Sequence, residues 1–271
     1  MTQNIRPFLK WAGGKFRLAH WIGTHLPAGP CLIEPFVGAA AIFLNSSFEH
    51  YILNDCNPDL INLYQRLQQD GLPFIDYCQS FFTPKNNTIQ RYYFLRQLFN
   101  DSSDMPEKAA LFLYLNRHCF NGLCRYNSKG DFNVPMGAYA KPYFPYHEMC
   151  AFHEKARRAV FNCEDFATVM RKARAEDVVY CDPPYYPLSN TSNFTRYHHA
   201  DFGLTEQTEL AQLCIQLQRQ GTRIVVSNHA LPETRRLYKQ AKKLVYRDVR
   251  RSISAVGHQR TPVKELLALY L

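Results

Sequence analysis

The tetrapeptide Asp182-Pro183-Pro184-Tyr185 closes the apolar run Val178-Val179-Tyr180-Cys181, and its residue types suit transfer of a methyl group to an amine on a nucleobase. The lone pair of adenine's exocyclic amine is delocalised into the ring, so the nitrogen attacks poorly until it is drawn towards tetrahedral geometry. Two acceptors held on its hydrogens achieve this. The Asp182 carboxylate supplies one and the Pro183 carbonyl the other, while consecutive prolines stiffen the turn and remove a backbone donor. Tyr185 offers a flat face for an extruded base, which matters because a base inside a duplex is out of reach of an active site. Asp182, Pro183 and Tyr185 are therefore the expected catalytic set. Alone, the tetrapeptide reads equally well as a rigid turn after a buried strand; its company decides.

That company is a ligand pocket. Cys31-Leu32-Ile33-Glu34-Pro35-Phe36-Val37-Gly38-Ala39 reads as a buried strand, a tight turn and a small-residue helix start, which lets the backbone approach a bulky ligand at the carboxyl end of a strand. A second strand, Tyr51-Ile52-Leu53-Asn54, ends in Asp55. The Glu34-to-Asp55 spacing matches the interval of about 20 residues that puts an acid on a ribose hydroxyl pair. Asp55 is thus the expected ribose ligand, with Glu34, Phe36 and Gly38 around it; as Asp-x-x-Pro, it also reads as a helix cap. No phosphate-cradling Gly-x-Gly-x-x-Gly is present, so a nucleoside without phosphates fits better than NAD or ATP. In Phe8-Leu9-Lys10-Trp11-Ala12-Gly13-Gly14-Lys15, Lys15 is expected on the carboxylate of an amino-acid-like cofactor, with Trp11 packed beside it. An anchored loop is the plainer alternative.

Composition agrees with a globular nucleic-acid enzyme without specifying one. The chain has 271 residues, 46% of them hydrophobic, and 32 basic against 23 acidic residues give a net charge of +9, which suits a polyanionic partner. No stretch approaches the roughly 20 apolar residues of a membrane span, and Met1-Thr2-Gln3-Asn4-Ile5-Arg6 is not a secretory signal, so a cytoplasmic location is expected. Basic residues crowd 235–251; most suit a solvated face, whereas Arg250 and Arg251, ending a strand-like run, are the better phosphate ligands. Nine scattered cysteines argue for reduced thiols. No metal is expected: in His147-x-x-Cys150-x-x-His153 the outer positions are six apart and no closed four-ligand set is evident. Cys181 reads as a buried strand residue.

Strands are expected near 31–34, 51–54, 160–163, 178–181 and 223–227 with helices between them, an α/β arrangement with a mainly parallel sheet. The runs 244–249 and 264–270 should add an antiparallel edge hairpin. From Asn57 to Pro145 the alternation stops and helical periodicity takes over at 58–69, 89–100 and 105–118. Such an insertion is too long for a simple connection. It divides the chain into a catalytic domain in two parts, 1–56 and 146–271, and a helical target-recognition domain, 57–145. Within the insertion, the turn-rich segment 120–135 carries Arg, Lys and aromatics, as would a hairpin projecting into a major groove; a surface loop packed on helices is the alternative.

Phe-Leu-Lys-Trp-Ala-Gly-Gly-Lys, Glu-Pro-Phe-Val-Gly-Ala and Asp-Pro-Pro-Tyr, in that order and with a long insertion before the last, resemble the Dam family of DNA adenine methyltransferases. The likeness extends to Leu115-Asn116-Arg117, Phe132-Asn133-Val134-Pro135, Lys141-Pro142-Tyr143-Phe144-Pro145, Asn193-Phe194-Thr195, Ser227-Asn228-His229 and Arg250-Arg251-Ser252-Ile253-Ser254. It implies a Rossmann-like methyltransferase sheet with S-adenosylmethionine as donor, N6 of adenine as acceptor, GATC in double-stranded DNA as target, and a bacterial or phage-encoded monomer. By the same resemblance Arg125 reads a guanine, with Leu123 and Pro135 as apolar neighbours, and Lys10 reaches the outer guanine. Arg117 and Asn121 join the DNA-binding set. Phe120 stands where the family commonly has a tyrosine that wedges into the duplex, and Ala138 where some relatives have arginine. Asp165 and Phe166 are expected near the cofactor adenine, which Asp182 also borders. Residues 189–199, with Phe194 and Tyr197, would close over the flipped base. Rival readings are cytosine N4 or RNA as substrate, and a DNA-binding relative without turnover.

Overall fold

A computed structural model describes residues 4–185, 202–249 and 263–271. Arg250, Arg251, Phe194 and Tyr197, singled out above, lie outside these residues. The framework is a seven-stranded sheet: β1 (Cys31–Glu34), β2 (His50–Asn54), β3 (Ala159–Asn162), β4 (Val178–Cys181), β5 (Arg223–His229), β6 (Lys243–Val249) and β7 (Val263–Tyr270). Its order is β3-β2-β1-β4-β5-β7-β6. The first five strands are parallel. β7 runs antiparallel between β5 and β6, so the expected edge hairpin is only half at the edge: β6 is outermost and β7 is interior, as its run Leu266-Leu267-Ala268-Leu269, buried on both faces, requires.

Side-chain alternation divides the core into two layers. Leu32, Tyr180, Val225 and Leu267 face one apolar cluster; their neighbours Ile33, Val179, Ile224 and Leu266 face the other. The second layer is covered by α7 (Phe166–Met170) and α8 (Leu204–Arg219), with α9 (Pro232–Leu237) beside α8. The first takes α1 (Ala19–Gly23), α2 (Ala41–Asn45), α3 (Pro58–Ser80) and α6 (Tyr146–Ala156), and continues without interruption into α4 (Ile89–Asp101) and α5 (Met105–His118) through Tyr64, Tyr92, Phe112 and Phe132. The helical insertion and the sheet thus share one apolar core.

α3 begins where Asn57 Oδ1 accepts the N–H groups of Asp59 and Leu60, so Asn57, not Asp55, is the helix cap. This releases Asp55 for another task. The helix passes the expected end near residue 69, bends at Gly71 (φ 55°) and runs on to Ser80. Gly71 is required there, because a Cβ would lie 2.8 Å from the His153 ring. His153 itself donates from Nδ1 to the Leu67 carbonyl, 2.8 Å away, and packs the two helices together.

β1 pairs with β2 on one side and β4 on the other, so the winding of the chain reverses between β1 and β4. In open α/β sheets ligands bind at such a switch point, beyond the carboxyl ends of the strands. Glu34, Asp55 and Asp182 all stand there.

Candidate active site

Asp182 leaves the end of β4 with one oxygen heavily engaged. Its Oδ1 accepts from Lys15 Nζ at 2.8 Å and from Ser227 Oγ at 3.0 Å, and Ser227 is backed by the Tyr180 hydroxyl, also 3.0 Å away. Among the described residues Oδ2 receives no hydrogen bond, which leaves it available to an amine. The following turn is held from α8: Gln207 Nε2 donates to the Pro184 carbonyl at 2.8 Å, while its Oε1 accepts from Tyr238 Oη and Asn228 Nδ2. Gln207 is 1% exposed, and every polar atom of its amide is bonded, as a buried amide requires. The tetrapeptide is thus a braced turn.

Tyr185 donates its hydroxyl to Glu265. The His229 ring stands edge-on to it, centroids 4.4 Å apart, and Lys15 Nζ lies 4.4 Å from its ring centroid. Lys15, expected on a cofactor carboxylate, is buried with Nζ 2.8 Å from Asp182 Oδ1, donating to the Gly13 carbonyl at 2.8 Å and lying 3.9 Å from Glu265. The ammonium thus sits at the Asp-Pro-Pro-Tyr turn. Burial pushes the Glu265 carboxyl up to about 7, and Lys15 and the Tyr185 hydroxyl oppose that rise.

The pocket beside this turn is built from the ends of β1 and β2. Asp55 Oδ2 accepts the Gly38 N–H and its Oδ1 the Asn57 N–H, both at 3.1 Å. Burial nevertheless raises its carboxyl to about 6. Gly38 has φ 45°, and a Cβ there would lie 2.9 Å from Trp11 Nε1, so only glycine permits this approach of the indole. Glu34 is 2% exposed, and among the described residues its Oε1 has no hydrogen-bond partner; burial and then the charge of Asp182 raise it to about 8. Phe36 stacks on Phe166 at 5.4 Å, forming an aromatic wall. Asp165 caps α7 by accepting the Ala167 N–H, so at least one of its oxygens is committed to the fold. Asn54, 1% exposed, ties the Pro35 carbonyl to Glu164 through both ends of its amide.

The segment 119–136 is a short hairpin with bridges at Cys119–Met136 and Tyr126–Phe132. Tyr92 Oη and Arg96 both donate to the Val134 carbonyl, and Tyr126 Oη donates to Asp59 at 2.7 Å, so the hairpin is fastened to α3 and α4. Arg125 is exposed and held along one edge, its Nε donating to Asn133 Oδ1 at 2.7 Å and its Nη2 to the Asn133 carbonyl at 3.3 Å. Phe120 is 51% exposed; Asn121 and Pro135 are exposed beside it, and Leu123 is half-buried. Lys10 is strapped to α5 by both ends of the Asn116 amide, and its stem crosses Gly122, where a Cβ would lie 2.3 Å from Lys10 Cβ. Arg117, expected on DNA, is 8% exposed, donates from Nε to the Tyr143 carbonyl and stacks over that ring. It anchors the connection after the hairpin; of the expected DNA-binding set within the described residues, Phe120, Asn121, Arg125 and Pro135 are exposed, and Lys10 and Leu123 are half-buried.

Ser227, Gln207, Glu265, Asn133 and Asn54 were given no role from the sequence. Glu265 alone carries a clear signal, an acid directly before the apolar run Leu266-Leu267-Ala268-Leu269. The nine cysteines are free. Among the described residues no group of three His, Cys, Asp or Glu side chains could hold a metal, and no helix is long and apolar enough to cross a membrane.

An α/β sheet with Asp-Pro-Pro-Tyr at the end of β4 and an acid at the end of β2 matches a known class. Residues 11–253 match the family model of D12-class N6 adenine-specific DNA methyltransferases, and the chain belongs to that family. It is 50% identical to the DNA adenine methylase of Escherichia coli (strain K12) over 270 residues, covering 100% of this chain and 96% of that one. It is also 50% identical to the DNA adenine methylase of Serratia marcescens over the full length of both, and 47% identical over 266 residues to that of Vibrio cholerae El Tor N16961, covering 98% and 96%. The protein is an adenine-N6 DNA methyltransferase.

Proposed function

We propose that the donor is S-adenosylmethionine, that the acceptor is a flipped adenine within GATC of double-stranded DNA, and that the enzyme works as a cytoplasmic monomer. The observation that carries this reading is the meeting of Asp182, Asp55 and Glu34 at the carboxyl ends of adjacent strands. The pocket fits such a donor: Gly38 leaves no room for a side chain beside Trp11, Glu34 Oε1 has no hydrogen-bond partner among the described residues, and Phe36 and Phe166 offer an apolar wall. Asp55 would hold the ribose, with Trp11, Glu34, Phe36, Gly38 and Phe166 around it. The donor supplies an electrophilic methyl carbon on a sulfonium.

The chain's own part is positioning and charge. Asp182 Oδ2 and the Pro183 carbonyl accept the two N6 hydrogens, which localises the nitrogen lone pair and stabilises the positive charge that develops on N6. Tyr185 stacks on the base. Holding donor and acceptor at attack distance supplies much of the rate. Lys15 and Ser227, both on Asp182 Oδ1, hold the carboxylate in its orientation. Segment 57–145 reads the target: Arg125 makes a bidentate contact to guanine, with Leu123 and Pro135 beside it, Lys10 reaches the outer guanine, Phe120 enters the space of the departing adenine, and Arg250 and Arg251 hold phosphates. The test is digestion of DNA from cells expressing the wild type or Asp182→Ala with methylation-sensitive and methylation-dependent GATC nucleases. Wild-type DNA should be cut only by the methylation-dependent nuclease; Asp182→Ala DNA should give the opposite pattern. Protection at other sites would overturn GATC.

A further inference from the structure

We propose that Glu265 is a positioning residue of the active site, holding the Tyr185 ring by its hydroxyl and sharing Lys15 with Asp182. The inference rests on the catalytic reading of Asp182 and Tyr185 given above. β7 enters the sheet antiparallel, so its first residues arrive at the carboxyl end of β5, where Glu265 is in register with His229. Glu265 is 5% exposed in a strand that is otherwise apolar from Leu266 to Leu269. A carboxyl in such a place costs stability unless it is hydrogen-bonded and paired.

Its partners are both catalytic-site groups. Tyr185 donates its hydroxyl to Oε1, and Lys15 Nζ stands 3.9 Å from the same oxygen while bonded to Asp182 at 2.8 Å. The ring of Tyr185 is thereby fixed at its far end by Glu265, on one side by the edge of His229 and over its face by Lys15. Any buried tyrosine hydroxyl needs a partner; what matters here is that the partner is itself held beside Lys15. Here the hydroxyl is tied to a buried acid 80 residues further along the chain, and the tie sets the plane against which a base stacks. Lys15, between two carboxylates, is held where its charge acts on Asp182.

The test uses the full chain and single-turnover methylation of a GATC duplex, with a fluorescent base analogue reporting base flipping and calorimetry reporting S-adenosylmethionine binding. Glu265→Leu should slow methyl transfer by about tenfold to a hundredfold, the range expected when a stacking surface is misplaced by an ångström, with cofactor affinity little changed. Glu265→Gln, which keeps the acceptor oxygen, should recover most of the rate. In a Tyr185→Phe background the Gln substitution should make no further difference to the flipping signal. Wild-type rates in Glu265→Leu would overturn the proposal, as would equal losses from Glu265→Gln with and without the Tyr185 hydroxyl. If Glu265→Leu does not fold by circular dichroism, the Gln and Phe variants and their combination decide. Asp182→Ala is run in parallel: turnover there refutes the catalytic reading, whereas an inactive Asp182→Ala beside a fully active Glu265→Leu refutes only the role of Glu265.

Discussion

Glu34→Gln should make the protein more stable at neutral pH than the wild type, and equally stable in mild acid. Glu34 sits at the end of β1, 2% exposed, with Oε1 unpartnered among the described residues and Asp182 nearby, so its carboxyl titrates near 8 in the folded chain against 4.5 for the free group. The folded state therefore binds a proton that the unfolded state has already released across that window. Stability falls as pH rises from 4.5, by up to about 1.4 kcal/mol per pH unit, and reaches a cost of about 3 kcal/mol at pH 7. Glutamine has the shape of the neutral acid, can still accept the Phe43 N–H that the carboxyl uses, and has no proton to take up. Urea unfolding of both proteins at pH 4.5 and pH 7 measures the difference directly; a midpoint gap between the two proteins that does not grow with pH would refute a neutral Glu34.

Asp55→Ala should weaken S-adenosylmethionine binding by about 1.5 to 3 kcal/mol, the worth of hydrogen bonds to a charged group. In the wild type the affinity should fall as pH drops through about 6, where Asp55 takes up its proton; calorimetry without DNA tests both. Arg125→Ala should relax discrimination at one guanine of the target by about 1 to 3 kcal/mol, and Asn133→Ala should move specificity the same way by freeing the guanidinium; a loss that is uniform across sequences would make Arg125 a phosphate contact. Gln207→Leu removes the donor to the Pro184 carbonyl and should cost about 1 to 3 kcal/mol of stability together with methyl-transfer rate, read by thermal melts and single-turnover kinetics; an unaltered rate would mean that the two prolines hold the turn unaided.

The strands and the turn at Asp-Pro-Pro-Tyr were legible because their signals are local. Val178–Cys181 is a continuous apolar run, Asp-Pro-Pro can only be a turn, and the 3.6-residue periodicity of 89–100 and 105–118 survives in α4 and α5 almost to the residue. What escaped was every assignment that depends on a partner distant in sequence. Lys15 has the right chemistry for a cofactor carboxylate, but nothing local announces that it also meets Asp182. Arg117 joins the DNA-binding set by its residue type, and only the fold shows it buried with its guanidinium against the Tyr143 ring. Asp55 and Asn57 both suit a helix cap by residue type, and only the direction in which the backbone leaves β2 decides between them. Phe36 and Phe166, chosen separately, prove to be one stacked pair.

The interior place of β7 also bears on the order in which the site is assembled. β5 has an open edge until β7 pairs with it, and Lys15, near the beginning of the numbering, meets Glu265 only once that pairing forms. Contacts between such distant segments are the slowest a chain makes. A chain that has built its helices and parallel strands but has not yet seated β7 lacks the Glu265 carboxylate that meets the Tyr185 hydroxyl and stands beside Lys15.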